Sequence, residues 1–284
     1  MMSHTHIVNT KKFSIIQIFH NLTLKEAAIN VLSCCDLLRK VELTYYYVDL
    51  WQSGEIKEIS SDMSDTLQIP YSPGRPQESI NWSNKINISK NAIELTIHGI
   101  AHAESYAIDL FWDCIARYVE YKMPKEFYDE LVDIARQEAN HFISWYNRLE
   151  QSSYPYGTLP THAGLWKSAA DTSDGLLERL AIINMLHEAR GLDTYALSLE
   201  KFQKNKDIIS INILNNNCTE EITHVACGFK WFNYLCDREH LKPIETFHKI
   251  VKSYHRGVIR GPFNVDARNK AGLTEDWYMP LTKE

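Results

Sequence analysis

The sequence lacks the marks of several protein classes. It has six cysteines, Cys34, Cys35, Cys114, Cys218, Cys227 and Cys236, and no Cys-x-x-Cys pair. That argues against a disulfide framework, a zinc ribbon or a rubredoxin-type iron site, and reduced thiols in a cytoplasmic protein are expected. Eleven glycines and nine prolines are too few for a collagen-like or low-complexity chain. Long apolar runs are missing as well. The stretch from Phe13 to Phe19 is short, is broken by Ser14 and Gln17, and is followed by no small-residue cleavage site, so neither membrane spanning nor export is expected. Positive charge is not in excess: 30 Lys and Arg face 36 Asp and Glu, for a net charge of −6. A dedicated nucleic-acid binder is not expected from that balance.

What is present is apolar surface with helical periodicity. Hydrophobic residues make up 44% of the chain and aromatics 11%, enough to offset chain entropy in a large core. The pattern predicts an all-α protein. One helix is expected from a Thr23 cap to Gln52. Others run over about 91–122, from Pro124 to Glu150, from the capping pair Ser173 and Asp174 to Lys204, over 207–238, and from Pro243 to His255. The expected organisation is an N-terminal helical extension over 1–60, a linker over 61–90, four long helices over 91–240, and a C-terminal helix and tail over 241–284 packed on them.

Glu-x-x-His occurs three times, as Glu138/His141, Glu221/His224 and Glu245/His248. With 21 Glu and 12 His in the chain such pairs arise by chance, so placement decides between them. Glu138/His141 interrupts the apolar stripe of Leu131, Ile134 and Trp145, and Glu221/His224 that of Leu214, Trp231 and Leu235. Glu104 sits in the stripe of Ile97, Ala101, Ile108 and Phe111, and Glu188 in that of Leu177, Ala181 and Leu192. Glu245/His248 lies on a mostly polar stripe and reads as a solvated face. A carboxylate in an apolar stripe is buried, at a cost of several kcal/mol unless it is paired. No Lys or Arg interrupts these stripes, so metal ions are the economical partner.

Spacing supports the same reading. Glu104 precedes Glu138 by 34 residues and Glu188 precedes Glu221 by 33, a repeat of one helical hairpin. Glu and His at i, i+3 face the same way. Two hairpins face to face would assemble four carboxylates and two imidazoles, the ligand set of a carboxylate-bridged di-iron or di-manganese site.

The surrounding strings are His102-Ala-Glu-Ser-Tyr-Ala-Ile-Asp-Leu110, Arg136-Gln-Glu-Ala-Asn-His-Phe142, Tyr156-Gly-Thr-Leu-Pro-Thr-His-Ala-Gly-Leu-Trp166, His187-Glu-Ala-Arg-Gly-Leu-Asp193, Glu221-Ile-Thr-His-Val-Ala-Cys-Gly-Phe-Lys-Trp-Phe232 and Gly261-Pro-Phe-Asn-Val-Asp-Ala-Arg268. Together they resemble the ferritin-like superfamily and, within it, the uncharacterised family called domain of unknown function 455. Asn184 and Met185, before the Glu-Ala-Arg string, depart from that family's pattern. The resemblance implies a ferritin-like four-helix bundle with a dinuclear centre, related to the non-haem di-iron tRNA hydroxylase branch. It carries Glu104, Glu138, His141, Glu188, Glu221 and His224 over as ligands of two iron ions, with manganese as the alternative.

Around these ligands, His102, His162, His187, Arg190 and Asp193 are candidates for pocket or supporting roles, each against an ordinary structural role. Asp109 is a further candidate for orienting a ligand imidazole. Arg256, Arg260 and Arg268 in the C-terminal tail could meet an anionic substrate, although a solvated face is the favoured reading. The expected function is O2-dependent oxidation or hydroxylation of an unidentified substrate, with an unidentified electron donor. The alternatives are ferroxidase-like iron or peroxide handling and a metal-stabilised scaffold without catalysis. A tRNA substrate stays open through the resemblance alone.

Overall fold

The computed structural model describes residues 22–76, 92–159 and 161–282. The expected extension before Leu22 and the linker positions 77–91 lie outside these residues. Among them the chain is helical, and the only strand-like pairing is one bridge between Ile259 and Thr282. The β-prone run Leu43 to Val48 lies inside a helix. No described helix is long and apolar enough to cross a membrane.

The stretch expected as one helix from Thr23 is two, α1 (Leu24–Ser33) and α2 (Leu37–Gln52). Thr23 caps the first through a reciprocal box with Glu26. Asp36 starts the second by accepting from the Arg39 N–H at 2.8 Å. A competing cap thus breaks what periodicity alone would continue. Gly74 packs on the break, its N–H donating to the Leu32 carbonyl at 2.6 Å, and a Cβ there would lie 2.7 Å from the Ser33 carbonyl oxygen. A short helix α3 (Asp62–Asp65) lies between α2 and Gly74.

Two helical hairpins form the centre. The first is α4 (Ala92–Arg117) with α5 (Lys125–Glu150). Pro124 directly precedes α5, where its missing N–H costs nothing. After a connection that contains α6 (Gly164–Asp171) comes the second hairpin. Its first arm runs through α7 (Leu176–Arg179), a π-helical segment (Leu180–His187) and α8 (Glu188–Lys204), and its return arm is α9 (Ile208–Arg238). Ser173 and Asp174 do not cap this arm: Gly175 holds the cap position without a side-chain bond. At the return, Asp207 caps α9 and also binds Arg148 of α5 at 2.9 Å. The hairpins meet chiefly along α5 and α9, and α4 and α8 touch only sparsely. Gly228 permits the closest approach: a Cβ there would lie 2.4 Å from the Asn184 carbonyl oxygen of the π segment.

Outer elements cover the hairpins. α1 packs on α4 and α2 on α5. The helix expected from Pro243 is α10 (Pro243–Tyr254), and the tail from Gly257, expected to be irregular, forms α11 (Val265–Lys270) and α12 (Glu275–Tyr278). These helices cover the π segment, α8 and α9. Buried ion pairs fasten the layers. Lys40 of α2 and Arg75 both bind Asp109 of α4, and Arg268 of α11 binds Asp193 of α8 at 2.6 Å.

Candidate metal centre

The two hairpins bring Glu104 (α4), Glu138 and His141 (α5), Glu188 (α8), and Glu221 and His224 (α9) to one place between the helices. They form two overlapping groups: Glu104, Glu138, His141 and Glu221, and Glu138, Glu188, Glu221 and His224. Within each group the possible ligand atoms all lie within 4.8 Å of one another. Glu138 and Glu221 belong to both.

The shared carboxylates are turned to serve both groups. Glu138 presents Oε2 to His141 Nδ1 at 3.5 Å and Oε1 to His224 Nδ1 at 2.8 Å. Glu221 presents Oε1 to His141 Nδ1 and Oε2 to His224 Nδ1, each at 3.4 Å. Each carboxylate therefore spans the two halves, as a bridging ligand must. Glu104 lies on the His141 side, 3.6 Å from its Nδ1.

The centre is largely buried. Both oxygens of Glu138 and the Nδ1 atoms of His141 and His224 are buried and find no partner outside the cluster itself, where His224 Nδ1 lies 2.8 Å from Glu138 Oε1. Such groups normally find one, and four of them converging on one point form a cluster that could hold a cation. Among the described residues no Lys or Arg pairs with the four carboxylates. The donor set, carboxylate oxygens and imidazole nitrogens without thiolate, fits iron or manganese.

Each imidazole is held from behind. His141 Nε2 lies 2.7 Å from Glu220 Oε2, and His224 Nε2 lies 2.7 Å from Gln137 Oε1. Both bonds cross between α5 and α9 and turn Nδ1 inward. Glu220 and Gln137 were not among the expected supporting residues. The signal was in the sequence, since each directly precedes the Glu of its Glu-x-x-His.

Without a cation, burial rearranges the protons. Burial pushes Glu104 up to about 8, with Glu138 adding repulsion against the pull of His141. Burial and the nearby Glu221 and Glu138 raise Glu188 well above the carboxylate range. For His224 burial acts downward, but Glu138 and Glu221 outweigh it and raise the ring to about 10. His141 is raised for the same reason by its four carboxylate neighbours. Glu138 and Glu221 are the carboxylates held low, because the two rings overcome their burial.

One side of the centre opens on a cavity of about 480 Å³ between α4, α8 and α9. Glu104, Glu188 and Glu221 line it, while Glu138, His141 and His224 lie on the sealed side. Its walls are mostly apolar, with Ile100, Ala107, Leu110, Trp145, Leu192 and Leu214 among them.

The remaining expected residues divide. His187 and Arg190 line the cavity. His187 Nε2 is buried without a partner, and burial lowers the ring to about 4, so it stands neutral in the wall. Arg190 is exposed and points away, toward the Arg260 carbonyl at 3.5 Å. His102 fastens the connection after α5, with Nδ1 2.9 Å from the Tyr156 hydroxyl and Nε2 3.2 Å from the His162 carbonyl. The His162 ring accepts from the Gly164 N–H at 3.1 Å, at the start of α6 and outside the cavity wall. Asp193 orients no imidazole, because Arg268 claims both its oxygens, and Asp109 is likewise taken by Lys40 and Arg75. That pairing also removes Arg268 from any anion site in the tail, whereas Arg256 and Arg260 are exposed.

Comparison with known proteins places the chain among uncharacterised relatives. No solved structure matches it. An uncharacterised protein of Haemophilus influenzae is 34% identical over 190 residues, which is 64% of this chain and 66% of that protein. The match thus spans just under two thirds of the relative's length. The model of the family described as "Protein of unknown function (DUF455)" matches residues 33–279, nearly the whole chain, and the protein belongs to that family.

Proposed function

We propose that the chain is a non-haem di-iron, or di-manganese, oxidoreductase built on a ferritin-like four-helix bundle. The observation that carries this reading is the pair of overlapping ligand groups sharing Glu138 and Glu221, with buried polar atoms that find no partner outside the cluster and no Lys or Arg among them. Glu104, Glu138, His141 and Glu221 would hold one ion, and Glu138, Glu188, Glu221 and His224 the other. When bound, two such ions supply electron transfer to O2, with electrons drawn from an external donor.

The protein's own residues set the conditions for that chemistry. Glu220 and Gln137 fix the two rings with Nδ1 inward. The core behind Glu138 and His224 excludes water from one side. Glu104, Glu188 and Glu221 face the cavity, so a substrate in it would lie next to the open side of the centre. The apolar cavity favours oxidation of an organic substrate over iron storage, which needs no such pocket.

Elemental analysis tests the reading. Protein loaded anaerobically is expected to hold about two iron or manganese ions per chain, and Glu138→Ala and Glu221→Ala to lose them. The reduced protein is expected to consume O2 in a single turnover. A wild-type chain that stays metal-free after anaerobic loading would falsify the proposal.

A further inference from the structure

The cavity carries information about what it accepts. α4 lines it from Leu95 to Leu110, about 22 Å at the helical rise, so the cavity extends along this helix. Along this wall Gly99, Ala103 and Ala107 recur every fourth residue and keep the space clear, with Gly191 of α8 also in the lining. Gly99 and Gly191 are exposed, and a Cβ on either would meet no atom within 4 Å. Both line the cavity, one on each of α4 and α8, which touch only sparsely.

The two ends differ in charge. The buried end meets Glu104, Glu188 and Glu221. At the other end stands Lys201, an exposed residue of the lining whose Nζ lies 3.3 Å from Thr96 Oγ1. Among the described residues Lys201 forms no ion pair, while the other cation of the lining, Arg190, lies 3.9 Å from Asp193. The half-buried Thr96, whose hydroxyl donates to the Ala92 carbonyl at 2.8 Å and accepts from Lys201, holds this cation at the cavity wall, and the buried Ser198 adds a second hydroxyl to the lining. Thr96 precedes Glu104 by eight residues, which at the helical rise is about 12 Å along α4.

We propose that the cleft between α4 and α8 binds a linear amphipathic anion, with its charged head at Lys201 and Thr96 and its apolar chain running past Gly99 and Gly191 toward Glu104 and Glu188. The inference deepens the oxidoreductase reading and rests on it only for what happens at the buried end; binding itself needs no metal. A chain of medium length fills the distance, and a cationic head is rejected by Lys201.

Calorimetric titration with decanoate, against decyltrimethylammonium as the cationic counterpart, tests this on the full chain with and without loaded metal. One decanoate per chain is expected to bind, and the cation is not. Lys201→Glu is expected to weaken decanoate about tenfold at low ionic strength, since it turns attraction into repulsion at an exposed site. Gly191→Leu is expected to abolish binding by filling the cleft, and it keeps the fold because the new side chain enters open space and leucine favours helix. Circular dichroism melts of both variants check the fold, and Gly99→Leu repeats the test from the opposite wall. Absence of decanoate binding, equal binding of the cation, or full affinity in a folded Gly191→Leu variant each overturn the inference. A chain that binds decanoate in this way but holds no metal keeps it and removes the oxidoreductase reading.

Discussion

Exchange of protons for metal can be worked out from the site and tested by counting. Without a cation, Glu138 and Glu221 are the ionised carboxylates, Glu104 and Glu188 keep their protons near neutral pH, and both rings are protonated. Two negative carboxylates then face two positive rings, so the site is neutral apart from the half-exposed Glu220 behind His141, which is held ionised. With two divalent ions bound, all six groups must be deprotonated, and four carboxylates balance four positive charges. Glu220 is the same in both states, and apart from it both are neutral, as burial of the other groups demands. The difference is four protons, carried by His141, His224, Glu104 and Glu188. Anaerobic titration with Fe(II) or Mn(II) at pH 7 in weak buffer, read by an indicator dye, is expected to release about four protons per chain. Near that pH the product of the two binding constants is expected to rise by about four decades per pH unit. Release of two protons or fewer would mean that Glu104 and Glu188 are already ionised, and the argument from neutrality would fail.

The same shifts set the stability of the metal-free chain. His224, raised to about 10, keeps a proton in the folded state that the unfolded ring loses above its ordinary 6.5. Its contribution is complete below that value and is lost as pH rises toward 10. Glu104, raised to about 8, keeps a proton that the unfolded carboxyl loses above 4.5. Its effect also lowers stability as pH rises, between 4.5 and 8. His187, lowered to about 4, acts in the opposite sense, but only up to the unfolded ring's 6.5. The melting temperature of the metal-free protein is therefore expected to fall from pH 6.5 to pH 9, and the increment given by saturating metal to grow over that range. A metal increment that shrinks with pH would contradict the assignment.

Other predictions follow from the shell around the site. Glu220→Gln, which removes the charge behind His141, is expected to weaken metal binding about tenfold or more in chelator competition, and an unchanged affinity would remove Glu220 from the support of that ring. Gly228→Ala forces a methyl against the Asn184 carbonyl and is expected to destabilise the fold by about 1–3 kcal/mol in urea unfolding; a loss under about 0.5 kcal/mol would show that α9 is free to shift there. Arg268→Ala leaves Asp193 buried without its partner, at an expected cost of about 3 kcal/mol by the same measurement. The double change with Asp193→Leu should recover part of it, and no recovery would place the loss in packing instead.

How much of this could be read in the chain depends on what each feature needs. The four long helices were legible because each carries an apolar stripe at helical spacing, and the six acidic and imidazole residues because they interrupt those stripes. What failed was whatever depended on competition between local bonds. Nothing in periodicity separates α1 from α2; the break comes from Asp36 binding the Arg39 N–H and from Gly74 packing on the gap. The π segment before Glu188 is equally silent, because an apolar run such as Leu180 to Leu186 satisfies either winding. The supporting residues were hardest. Asp109 and Asp193 stand near ligands in sequence, yet each faces a cation from another layer, Lys40 and Arg75 or Arg268, which only tertiary packing supplies. Glu220 and Gln137 act across the seam between α5 and α9, so each supports the histidine of the other helix. That crossing also explains the sparse contact of α4 with α8. Two ring bonds tie α5 to α9 around Glu138, Glu221 and both imidazoles, while the opposite pair, with Glu104 and Glu188, borders the cavity. The same division sets the sealed side of the site against its open side.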